Sequence, residues 1–144
     1  MKNRFLFIMV MIFIMFTIFG CTPLPFPNQP NLVVLGVDNF SKECVVGPAG
    51  STCIHTIVFT VSNIGLSEAG PFEVLVKIDP KLSQQIYVLN MEGLEAMNSI
   101  TLTAIIEGAN CFDPDCNIEI QVDSMEVVDE YDEDDNIYTE NIIG

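Results

Sequence analysis

From residue 31 to the C-terminus, apolar and polar side chains alternate with a period of two in one segment after another. Thr56–Val61 (TIVFTV) places Ile57, Phe59 and Val61 on one face, and Phe72–Ile78 (FEVLVKI) does the same with Phe72, Val74, Val76 and Ile78. Ser99–Ile105 offers Ile100, Leu102 and Ala104, and Cys116–Asp123 offers Ile118, Ile120 and Val122. Successive side chains of a strand point to opposite faces, so each segment predicts a strand with one buried side. Shorter strands are predicted at Leu32–Val37, Gln85–Leu89 and Ile137–Ile143. Between the strands lie GPAG, SNIGLSEAGP, IDPK, NMEGLEAMN and FDPD, whose Gly, Pro, Asn and Asp supply turn geometry. Only EGLEAM, within the fourth of these, has the composition of a helical turn. About seven strands at this spacing predict an all-β fold, an immunoglobulin-like antiparallel β-sandwich, with a small barrel as the rival closure.

The first thirty residues break the pattern. Lys2 and Arg4 precede an apolar run from Phe5 to Phe19 that leads into Gly20-Cys21. About fifteen apolar residues are short for a spanning helix, which needs about 20, and TPLPFPNQP follows in place of a basic stop-transfer flank. Residues 1–20 therefore predict a cleaved secretion signal. Ile18-Phe19-Gly20-Cys21 resembles a bacterial lipobox, although Phe19 is bulkier than the residue usual there. That resemblance implies diacylglycerol on Cys21 and often a third acyl chain; an ordinary signal peptide is the alternative. Each buried methylene adds about 0.8 kcal/mol, and one chain alone holds only marginally, so two or three chains anchor a protein durably. Thr22 is not the aspartate that retains some lipoproteins at an inner membrane. The expected address is the cell envelope: the outer membrane if the host has two membranes, the cell surface otherwise. Residues 21–30 carry four prolines and predict an extended stalk, about 3.1 Å per residue and roughly 28 Å in all. Residues 31–144 suffice for one domain with a core of its own.

Charge narrows the partners. Without Lys2 and Arg4, the chain sets Lys42, Lys77 and Lys81 against twenty acidic residues. Nucleic-acid binding needs basic patches that displace counterions, and docking flat on anionic lipid needs them too, so both are excluded. Basic partners and divalent cations remain compatible with the charge. Catalysis is not expected: no Ser, Cys or Lys has a recognisable base and oxyanion partner around it, and VVGPAGST lacks the spacing and lysine of a phosphate loop. The single histidine, His55, falls at a strand start, where a surface position or a cross-strand hydrogen bond is expected.

Four cysteines within the domain form two close pairs, Cys44/Cys53 and Cys111/Cys116, each bracketing a turn. In an exported chain an even number favours disulfides, and three connectivities are open. Turns that fold flanking strands back to about 5 Å favour the local pairing, with roughly 2–3 kcal/mol from each closed loop. A four-cysteine zinc site is disfavoured by the Cys44/Cys53 spacing, and a redox pair by the absence of a two-residue gap.

The segments PNLVVLGVD, FTVSNIGLSEAGPFEVLVKID and IEIQVDSMEVVDEYDEDDN together resemble a CARDB domain, a cell-adhesion-related immunoglobulin-like module, over nearly all of residues 31–144. The family's closing pattern falls on Asp123, Glu130, Glu133 and Asn136; Asp135 replaces an expected Asn, and Asp132 stands where Asn or Asp is usual. The resemblance implies a non-enzymatic, secreted or surface-attached module, and implies that some of these acids brace the crossing into the last strand, with Val127 and Val128 tucked beneath it. Three readings of residues 123–136 stand. A disordered acidic tail is opposed by the apolar residues that follow. A structural loop uses Asp and Asn oxygens as acceptors for backbone amides. A calcium site would draw its six to eight oxygens from Asp123, Asp129, Glu130, Asp132, Glu133, Asp135 and Asn136, with Asp134 in reserve, but without the residue order of an EF-hand. The expected function is a lipid-anchored, non-enzymatic surface binding or adhesion module with a protein or surface-glycan partner. An accessory or inhibitory subunit on an envelope enzyme or export complex is the alternative.

Overall fold

A computed structural model describes residues 28–143 except 49, 79–84 and 109–114. Seven strands carry the chain: β1 (Leu32–Gly47), β2 (Gly50–Asn63), β3 (Phe72–Ile78), β4 (Gln85–Met91), β5 (Ser99–Glu107), β6 (Asp115–Val122) and β7 (Ile137–Ile143). They form two antiparallel sheets, β1-β2-β5 and β4-β3-β6-β7. The expected immunoglobulin-like β-sandwich is therefore the fold. EGLEAM makes no helix; Leu94 instead bridges Ala69, tying two loops together at one end.

Alternation decides what is inside. Ile57, Phe59 and Val61 face Phe72, Val74, Val76 and Ile78 of the other sheet, with Ile118, Ile120 and Val122 beside them, all buried. Ala104 and Ile106 complete the β5 contribution, while Ile100 at its start is 36% exposed. Burying each of the large side chains is worth about 1.5–3 kcal/mol, so this core carries most of the stability.

Two strands run further than their alternation predicts. β1 and β2 continue past the sandwich as a hairpin whose register includes Cys44 opposite Cys53. These two cysteines form a disulfide with their Cα atoms 4.0 Å apart, as the local pairing predicts. Cys116 is also disulfide-bonded. Cys111, Cys21 and the signal and most of the stalk lie outside the described residues.

His55 corrects an expectation. It is fully buried, one alternation step beyond Ile57, with its ring 5.7 Å from that of Phe40, and neither ring nitrogen makes a hydrogen bond. Burial lowers its pKa from 6.5, and the nearby Lys42 ammonium lowers it further. A base whose folded pKa is depressed stabilises the fold above the unfolded value and loses that contribution as the pH falls. The contribution of this group is therefore expected to weaken below about pH 6.5. His55→Met, which fills the space without polar atoms, is expected to raise stability by about 1 kcal/mol and flatten the acid limb in urea titrations.

Candidate functional site

The acidic residues gather where β6 hands over to β7, and their carboxylates turn inward to backbone amides. Asp123 follows β6 with φ 47°, a left-handed conformation that Asp tolerates better than most residues. Its carboxylate accepts hydrogen bonds from the amides of Val127 (3.2 Å) and Val128 (2.8 Å), which curls the loop back on itself. Val128 is thereby buried, as expected, but the same curl turns Val127 out to 63% exposure, against expectation.

Glu130 is the centre of the arrangement. It is buried, and its Oε2 accepts the amide of Leu32, the first residue of β1, while Oε1 accepts Asn136 Nδ2 at 3.1 Å. Glu133 supports it, accepting the Glu130 amide at 3.0 Å and Asn136 Nδ2 at 3.4 Å. The Asp132 amide donates to Asn31 Oδ1 and Asn31 Nδ2 donates to Asp135 Oδ2, both at 3.1 Å. The Tyr131 amide donates to the Pro30 carbonyl (2.9 Å), and Gln29 Nε2 to Asp129 Oδ2 (3.2 Å). Asp132 Oδ1 accepts the Asp134 amide at 3.0 Å, and the Asn136 carbonyl accepts the Val122 amide at 3.0 Å. The loop thus clasps residues 29–32, joining the end of one sheet to the beginning of the other.

A second layer lies under the clasp. Asn63, fully buried, accepts the amides of Asn31 (3.1 Å) and Gly65 (3.0 Å) on Oδ1 and donates to the carbonyls of Ser67 (2.8 Å) and Leu94 (2.9 Å). Both donors and both acceptor sites of its amide are satisfied. Gly65 allows the close approach, since a Cβ there would stand 2.4 Å from the Asn31 nitrogen and the Pro30 carbonyl carbon. Sequence reasoning read SNIGLSEAGP as a turn and passed over Asn31, Asn63 and Gly65. The signal was an asparagine before a glycine at a strand end, but its partner is 32 residues away in sequence.

Crowding and burial shape the charge. Burial pushes the Glu130 carboxyl up to about 7; the Leu32 amide and Asn136 pull it down, and Glu133 and Asp123 push it up again. Asp135 is raised too, first by burial, with Asn31 opposing and Asp132 and Asp134 adding to it. Asp135 Oδ1 and Asn136 Oδ1 are buried without a hydrogen-bond partner. Of the residues expected to share a cation, Asp123, Glu130 and Glu133 are committed to loop and β1 donors. Among the described residues no three His, Cys, Asp or Glu side chains converge as a metal site requires.

Glu130 sets a pH dependence whose sign is fixed. An acid whose folded pKa is raised stabilises below its unfolded value and loses that contribution as the pH rises through the folded one. Stability from this group should therefore fall between about pH 4.5 and about pH 7, by on the order of 3 kcal/mol. Glu130→Gln is expected to abolish that slope in urea unfolding at a series of pH values. Asn63→Ala, which leaves two amides and the Ser67 carbonyl to find water or nothing while the Leu94 carbonyl keeps the Ala69 amide, is expected to lower stability by about 3 kcal/mol in the same assay.

Comparison with known proteins agrees with this architecture. The crystal structure of the CARDB domain of the PF1109 protein from Pyrococcus furiosus, in complex with di-metal ions, superposes with a TM-score of 0.54 at 18% identity, covering 81% of this chain and 94% of that one. No curated protein matches significantly. Residues 29–140 match the CARDB family, a span that begins at the clasped Gln29 and ends within β7, and the chain belongs to that family.

Proposed function

We propose that this chain is a non-enzymatic binding module of the cell envelope, anchored through lipid on Cys21 and held off the membrane by the proline stalk. Its family membership, adhesion-related by resemblance, is the observation that carries the reading. The clasp supports it: Gln29 and Pro30 at the stalk's end are bonded to the acidic loop, so the domain meets its tether through a fixed joint. Cells fed labelled palmitate are expected to label the protein, and Cys21→Ser is expected to lose the label and leave the membrane fraction. Retention of the Cys21→Ser protein on the membrane would remove the anchor from the proposal.

In this reading the acidic loop is a structural element, because its most buried carboxylates serve backbone amides. A second reading, calcium at the loop, is favoured by the partnerless Asp135 Oδ1 and Asn136 Oδ1 and by the di-metal ions of the Pyrococcus furiosus domain. Asp135 and Asn136 would supply the first oxygens for such an ion, and the loop would have to rearrange to bring the exposed Asp129 and Asp132 to it; the ion would offset the repulsion among the carboxylates. Melting temperatures that agree in excess EGTA and in excess calcium are expected for the structural loop. A calcium-dependent rise of several degrees, lost in Asp135→Asn, would transfer the loop to the second reading.

A further inference from the structure

Among the described residues, the outer half of β1 is an open strand edge. β1 is 16 residues long and lies at the margin of its sheet, and among the described residues no strand pairs with its other side. Two register shifts, at Val34/Gly36 and Val37/Asn39, disrupt its first half, which is how natural edges are guarded. From Phe40 to Gly47 the register is regular and contains no proline. Every residue from Ser41 to Pro48 is exposed, so both faces of this half stand clear of the sandwich; Val45 and Val46 are 68% and 84% exposed.

The backbone on this edge is oriented for a further strand. Cα atoms 4.0 Å apart mark Cys44 and Cys53 as a narrow, non-hydrogen-bonded pair. The N–H and C=O of Cys44 therefore point away from β2, and with a period of two so do those of Val46. The disulfide holds this half of the hairpin against fraying, so the edge is pre-organised. Two charged guards, Lys42 and Glu43, stand at the inner end of this edge; Cys44 to Gly47 carries none, and unguarded open edges pair with other strands.

Charge selects the occupant's orientation. The loops at the clasp end, residues 64–71, 92–98 and 123–136, hold eleven of the twenty acidic residues and no lysine or arginine. Lys42 and Lys77 lie in the opposite half of the sandwich, and residues 44–52 carry no charge. Two copies aligned in parallel would bring their acidic ends together. Two copies paired antiparallel through the outer half of β1 keep those ends at opposite extremes, and strand-to-strand pairing about a two-fold axis is self-complementary.

We infer that the outer edge of β1, Ser41–Gly47, is a homophilic contact at which a second copy of this chain adds its own β1 antiparallel. The pairing makes a continuous six-stranded sheet and sends the two stalks in opposite directions. On anchored copies, it joins two facing membranes. The pairing is weak singly and gains strength through many copies on each surface. The membrane-bridging part rests on the proposed anchoring; the pairing does not.

The test uses the chain from Cys21 onward, oxidised, in sedimentation equilibrium up to about 1 mM. A reversible dimer is expected. Val46→Pro removes an outward N–H without touching the β1–β2 ladder, and Val46→Lys places a guard on the edge; both are expected to weaken the dimer at least tenfold with unchanged melting. Val88→Lys, on the separate edge strand β4, is expected to leave it intact. Vesicles of phosphatidylcholine coupled to the chain through Cys21 are expected to cluster, and to stay dispersed with Val46→Pro. A monomer at the highest concentration, a dimer that survives Val46→Pro, or a dimer that fails to cluster vesicles overturns the inference. Because coupling here is chemical, failure to find lipid on Cys21 in cells would overturn the anchoring alone.

Discussion

The hydrogen bond from the Leu32 amide to the buried Glu130 carboxylate is the contact on which the end of this sandwich depends. Sheets packed face to face have no backbone bonds between them, and each sheet would otherwise stop at a row of unsatisfied amides. Glu130 comes from the loop that joins β6 to β7 of one sheet, and Leu32 opens β1 of the other. One side chain thus satisfies an amide of the opposite sheet, and Asn136 and Glu133 hold it in place. The Asn63 amide group does the corresponding work from beneath. An unmet buried amide costs about 1–3 kcal/mol, so this small set of bonds is comparable in weight to several core side chains.

That view changes what the acidity means. Eight carboxylates between Asp123 and Asp135 suggest a cation, yet the buried ones are acceptors for backbone donors. Carboxylates do this better than neutral groups, because a charged acceptor makes a stronger bond. The opposing term is burial, which raises Glu130 to about 7, near the point where the bond begins to lose its charge assistance. The same concentration of charge gives the domain a polarity. One end is anionic and bonded to Gln29 and Pro30; the other is a disulfide-braced hairpin whose tip, residues 44–52, is uncharged.

Most of the fold was legible because strand alternation is local. The faces of β3 and β6 were read to the residue, β7 followed from its apolar residues, and the Cys44–Cys53 bridge followed from the turn it brackets. The extension of β1 and β2 beyond the sandwich was not, since Ser41 to Gly47 lacks alternation where both faces are in water. His55 misled because polarity predicts exposure, while its position in the ladder places it on the inner face beyond Ile57. In the site, Asp123, Glu130, Glu133 and Asn136 were found through family resemblance. Asn31, Asn63 and Gly65 were missed because their role is a contact across the fold, and no local pattern encodes it.

Amide hydrogen exchange at Leu32, compared with the Val61 amide in the centre of the sheet, addresses the clasp most directly. If Glu130 holds the first strand, Leu32 and Tyr131 exchange together as one slow unit, and Glu130→Ala releases both by orders of magnitude while Val61 stays protected. If Leu32 keeps its protection in Glu130→Ala, the first strand is held by the core alone and the acidic loop is only a connection.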